Sequence, residues 1–192
     1  MKSIAILVLL TAMTSIAQPH LVEGKSDSPV RVVIYEDLQC PDCADFRMML
    51  DTKLLPKYGA KVAFEHRDFP LPKHKWARPA SIVARFFFEQ SLALAVLWRQ
   101  ETMRDQAKIT PENFGAHLAA FAQRNGVDPA KARAALNDAS LADFIQKDYE
   151  EGVARGIAHT PTALVNGAPF IETFTFEEIA AGIETAMKES GI

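Results

Sequence analysis

The chain has 192 residues, is 48% hydrophobic, carries a formal charge of −3 and contains two cysteines. That length suits one domain, or one domain with an insertion, and the apolar content is ample for a sizeable core. The acidic balance, with no cluster of Lys and Arg, excludes a nucleic-acid surface held by phosphate neutralisation.

Residues 1–17 read as a secretory signal. Lys2 gives a small positive start, Ile4 to Leu10 is an unbroken apolar run, and Ser15-Ile16-Ala17 puts small residues where cleavage after Ala17 requires them. The competing reading is a transmembrane anchor, but the run is short of the ~20 apolar residues that span a bilayer. Cleavage removes one lysine and no acid, leaving −4. Residues 18–29 are polar, with Pro19 and Gly24, and are expected to form an exposed lead-in, too short for a dimerisation domain, so a monomer is expected.

Val30 to Tyr35 is β-branched and nearly all apolar, as in a strand buried on both faces of a sheet. Glu36 to Gln39 turns into Cys40-Pro41-Asp42-Cys43, followed by a helical segment from Ala44 to Leu55, which Pro56 and Gly59 end. A cysteine at a helix N-terminus meets unpaired N–H groups and the positive end of the helix dipole, which favour its thiolate. Pro41 falls in the first turn, where its missing N–H costs nothing. Cys43 lies a turn later, within disulfide reach. A bridge across two residues closes too small a loop to staple a fold, so the pair reads as redox-active.

Lys61 to Arg67 alternates and predicts a second strand, broken by Asp68-Phe69-Pro70-Leu71-Pro72. Lys73 to Gly156 is helical throughout. Thr110-Pro111 is expected to open one helix, Asp128-Pro129 another and Ser140 a third, and Phe86-Phe87-Phe88 reads as core packing. Thr162 to Val165 and Ala168 to Ile171 flank Asn166-Gly167, a strong hairpin signal. Thr175 is expected to cap a last helix. The order is β-α-β, a helical insertion, then β-β-α.

These stretches resemble the thioredoxin superfamily and, within it, the DsbA-like thiol-disulfide oxidoreductases. The resemblance rests on Tyr35 to Cys43, Arg67 to Leu71, the helical insertion, and His159-Thr160-Pro161-Thr162 before the hairpin. It implies an α/β thioredoxin fold in two parts, residues 30–72 and 157–192, with a helical domain at 73–156 between them. It implies Cys40 as the exposed nucleophile, Cys43 as the buried resolving cysteine, Pro41 and Asp42 as tuning residues, and Thr160 with a cis Pro161 as the substrate-binding loop. No cofactor and no metal are implied. The partners implied are exported proteins with cysteines and a membrane redox partner that recycles the pair, in the periplasm or another exported location.

Two positions depart from the family. Many relatives carry a buried acid six residues before the first cysteine, where this chain has Ile34; Glu36 and Asp37 lie closer to Cys40, and water or Glu36 is the candidate replacement. The strongly oxidising relatives have histidine where this chain has Asp42. An anion there opposes the thiolate, so a less acidic Cys40 is expected. His66 is expected to be structural or at the surface, His74 either facing the site or solvated, and His159 a source of positive potential near Cys40. The leading expectation is an exported enzyme that donates disulfides. A reductase is the alternative in the same class. A Cys/His metal-delivery module, suited to soft ions, and a peptide-binding chaperone are alternatives from other classes.

Overall fold

The computed structural model describes residues 19–192. The secretory signal read at residues 1–17 lies outside the described residues. Strands β1 (Val22–Gly24), β2 (Arg31–Glu36), β3 (Ala63–Asp68), β4 (Thr162–Val165) and β5 (Ala168–Ile171) form one sheet in the order β1-β3-β2-β4-β5. β2 and β3 are parallel, and every other pair is antiparallel.

Between β2 and β3 runs α1 (Pro41–Met49), which passes through a π-helical stretch (Leu50–Leu54) into α2 (Leu55–Tyr58). Between β3 and β4 come α3 (Ala77–Gln90), α4 (Leu92–Arg104), α5 (Phe114–Arg124), α6 (Pro129–Ala134) and α7 (Ala139–Ala154). Helix α8 (Phe176–Glu189) follows β5. The β-α-β and β-β-α halves and the helical insertion are all present.

The stretch expected as an exposed lead-in instead holds β1 and buries Leu21 and Glu23. Its pairing to β3 covers that edge, and Glu23 tolerates burial because Arg47 and His66 meet its carboxylate. Helix α5 starts at Phe114 rather than after Thr110. Asn113 Oδ1 accepts the Thr110 N–H and Thr110 Oγ1 accepts the Asn113 N–H, which closes a turn in place of a helical start. Asp138, not Ser140, caps α7, accepting from the Ser140 and Leu141 N–H groups. Thr175 caps α8 in a reciprocal capping box with Glu178.

Two apolar cores meet at the motif. One joins β2, β3 and β4 to α1 and α8 through Val32, Ile34, Phe46, Leu50, Phe64 and Ile183. The other lies within the helical insertion, where Phe87, Trp98 and Phe121 pack ring on ring at 5.0–5.6 Å, and Trp98 Nε1 donates to the Ala80 carbonyl at 2.9 Å. Cys40 and Cys43 belong to this second core, although α1 itself is shared with the first.

Candidate active site

β2 ends at Glu36, and four residues later the chain enters α1 with Cys40 at its N-cap, in extended geometry, and Pro41 at the first helical position. Cys40 provides no side-chain cap, so its sulfur stays free to face the loop before β4. That loop carries the cis Thr160–Pro161 peptide bond. As a thiol, Cys40 donates to the Thr160 carbonyl at 3.3 Å. The loop covers Cys40 so closely that only 5% of it remains exposed. The cysteine expected to be exposed is therefore nearly buried.

The two sulfurs, both free thiols, sit in opposite electrostatic environments. The Cys40 pKa is lowered to about 6, chiefly by a hydrogen bond from Cys43. Burial opposes this, and the Thr160 hydroxyl and the backbone N–H groups of Cys43 and Asp42 reinforce it. The value lies above the ~3.5 of the most acidic motif cysteines. Burial pushes Cys43 the other way, well above 9, and the hydrogen bond and charge of Cys40 add to it. Cys43 is fully buried. The Cys40 thiol therefore ionises far more readily than that of Cys43.

The acid absent at position 34 has a neighbour on the same face. Strand periodicity of two puts residue 36 on the face of residue 34, and the register pairs Ile34 with His66 and Glu36 with Asp68. Glu36 is buried, accepting from His66 Nδ1 at 2.6 Å and from Arg99 Nη1 at 2.7 Å. Burial alone would raise its pKa, but His66 and Arg99 hold it below the usual carboxylate range. His66 Nε2 faces Glu23 Oε1 at 3.0 Å. With a carboxylate on each ring nitrogen, only the imidazolium satisfies both; the carboxylates raise the His66 pKa against the effect of burial. Arg47 continues the chain from Glu23 to Asp51. Arg99 also holds Asp68 at 2.8 Å.

Asp37 was given no role from the sequence, yet every polar group it has is engaged. Its N–H donates to Cys43 Sγ at 3.4 Å and its carbonyl accepts the Cys40 N–H at 3.0 Å. Its carboxylate accepts from Gln39 N–H at 2.7 Å, Leu71 N–H at 2.7 Å and His74 Nδ1 at 2.8 Å. His74 thus belongs to the site through Asp37. His159 is solvent-exposed and paired with Glu172 at 2.9 Å, so it is not a lone positive charge beside Cys40. The signal for Asp37 in the sequence was its place three residues before Cys40; two of its partners, Leu71 and His74, lie more than 30 residues away and leave no local pattern.

Two clefts flank the motif. One, of about 220 Å³, lies between Asp42, Phe46 and Met49 of α1 and Glu172 to Phe174. The other, of about 560 Å³, runs between Pro41, Ala44 and Met48 of α1 and Gln100, Met103 and Arg104 of α4. Both are lined by apolar and polar side chains together. Among the described residues no group of three or more His, Cys, Asp or Glu is arranged to hold a metal ion.

Residues 17–185 match the family model described as thioredoxin. The chain belongs to the thioredoxin family. This thioredoxin-family chain is 28% identical over 168 residues to the Na(+)/H(+) antiporter NhaA 3 of Salinispora tropica, a match that covers 86% of the chain and 24% of that protein, so the chain spans about a quarter of that relative's length. It is 28% identical over 185 residues to a putative protein-disulfide oxidoreductase of Rickettsia bellii, covering 91% of the chain and 67% of that protein. Its fold is that of oxidised BdbD from Bacillus subtilis, with a TM-score of 0.79 at 22% identity over 88% of this chain and 93% of that one.

Proposed function

We propose that the protein is a thiol-disulfide oxidoreductase that exchanges disulfides with cysteine-containing proteins, working as an exported disulfide donor recycled by a membrane redox partner. The observation that carries this reading is the asymmetry of the pair: a Cys40 thiol lowered to about 6 under the Thr160 loop, next to a buried Cys43 raised well above 9. In the donating direction a substrate thiolate attacks Cys40 Sγ of the Cys40–Cys43 disulfide. The S–S bond breaks and Cys43 leaves with the electron pair, then takes a proton. A second substrate thiolate attacks the first substrate sulfur and expels Cys40 as a thiolate. The substrate is oxidised by two electrons and the protein reduced by two.

Stabilising the thiolate of the reduced form makes the disulfide easier to reduce, hence more oxidising. The membrane partner and the exported location follow from the DsbA-like resemblance and the secretory signal read in the sequence. Thr160, Pro161 and the cleft beside Asp42 are assigned to the substrate backbone, Cys40 to attack and Cys43 to resolution.

Equilibration of the mature protein with glutathione buffers tests the direction. A potential well above that of thioredoxin, about −270 mV, supports donation. A value near it supports the reductase reading in its place. No exchange at all sinks both, and a Cys43→Ala variant that fails to trap substrates as mixed disulfides removes the assignment of Cys43.

A further inference from the structure

We infer that Asp37 is a positioning residue for the resolving cysteine: its carboxylate, locked by His74 and two backbone N–H groups, aims its own N–H at Cys43 Sγ and so sets the ease with which Cys43 enters and leaves the disulfide. This rests on the exchange chemistry proposed above and adds a residue to it.

Cys43 is fully buried, with its sulfur in an apolar core. A thiolate there is costly unless a donor faces it. The Asp37 N–H at 3.4 Å is such a donor and favours the anionic form of Cys43, which burial opposes. In the donating direction the N–H stabilises Cys43 as the leaving thiolate. In the reverse direction it stabilises the thiolate that attacks Cys40 Sγ and expels the substrate sulfur. No redox partner beyond the substrate is needed for either step.

A backbone N–H cannot aim itself. Residues 37–40 form a turn closed by the bond from Cys40 N–H to the Asp37 carbonyl. Its orientation is fixed from outside by the carboxylate. One oxygen accepts Gln39 N–H within the turn, and the other accepts Leu71 N–H and His74 Nδ1 from the segment after β3. Asp37 is fully buried, so these contacts are not shared with bulk water. Asparagine has one acceptor where aspartate has two, and its NH₂ would face at least one of these donors, so the turn must rearrange.

The test separates the two halves of the reaction. The rate of Cys40 alkylation by iodoacetamide reports the nucleophile alone. The decay of the protein–glutathione mixed disulfide, in single turnover, reports resolution by Cys43. Wild type that forms no mixed disulfide with glutathione removes the exchange reading itself. If wild type exchanges, Asp37→Asn is expected to slow resolution by about tenfold, the loss of one hydrogen bond to a charged group, while alkylation changes by less than about twofold. His74→Ala is expected to slow resolution to a smaller extent and His74→Gln, which keeps a donor, to restore most of it. This pair carries the test if Asp37→Asn does not fold. Equal slowing of both steps would mean a general structural role and overturn the inference. So would unchanged resolution in folded variants, or faster resolution in Asp37→Asn, which would mean that the carboxylate acts on the thiol as a repelling charge.

Discussion

At the scale of single residues, the Cys40 thiol gives a direct pH readout. Its reactivity toward iodoacetamide should rise with a midpoint near pH 6, the value at which the folded thiol ionises. Thr160→Val removes a hydroxyl that favours the thiolate and should move that midpoint upward. The same ionisation bears on stability. The folded value of about 6 lies below the ~8.5 of an unfolded cysteine. A depressed value contributes stability that is complete above the unfolded pKa and is lost as pH falls through the folded one. The reduced protein should therefore gain on the oxidised one, whose sulfurs do not titrate, between about pH 6 and pH 8.5. Above that window Cys43 works the other way, because its folded thiol holds a proton that the unfolded chain releases. Melting temperatures of the two redox forms across this range check the sign; a reduced form that does not gain on the oxidised one as pH rises contradicts it.

At the scale of elements, α7 holds the sheet and the segment after β3 together. Gly152 lies where a Cβ would stand 2.6 Å from the Phe69 ring and 3.1 Å from that of Tyr35. Phe69 cannot swing aside, since it stacks on Tyr149 at 4.7 Å and meets Tyr35 edge-on at 6.2 Å. Gly152→Ala should therefore destabilise by about 1–3 kcal/mol, the usual cost of overpacking, although alanine is the better helix former. Because Phe69 leads to Leu71 and thence to Asp37, part of the loss should appear as altered protection of the Leu71 amide in hydrogen exchange. A variant as stable as wild type would mean that the rings yield.

Across the whole molecule, buried charges join the helical insertion to the sheet. Arg99 of α4 reaches Glu36 of β2 and Asp68 of β3. Arg99→Met leaves Asp68 without its cation and Glu36 with His66 alone, and should cost about 3–5 kcal/mol at neutral pH. The deficit should shrink at low pH, where Asp68, whose pKa burial already raises, takes up a proton once Arg99 is gone. Denaturant melts at pH 7 and pH 4 measure both parts; an equal deficit at both values would mean that lost packing, not charge, dominates. This network also marks the limit of what the residues disclose in order. The two halves and the insertion were legible because period-two and period-3.6 patterns, Asn166-Gly167 and Thr175 are local signals. Glu36 was legible as an acid two places from Ile34, but not its salt bridge to Arg99, which lies 63 positions on. β1 was hidden because three residues with a central glutamate look solvated until Arg47 and His66 are seen around them. Asp37 was hidden for the same reason: its meaning lies in donors that only the fold assembles.

The β4–β5 hairpin has one further consequence, for behaviour at high concentration. Val165 faces Ala168 across the two-residue turn, and Leu164 faces Pro169. The polar backbone groups of 168 and 170 therefore point inward to β4, and those of 169 and 171 point away from the sheet. Proline occupies the first outward position and has no N–H to offer. The free border of the sheet is thus a poor template for a strand from another molecule. At high concentration this border therefore offers little purchase for edge-to-edge pairing between copies of the chain.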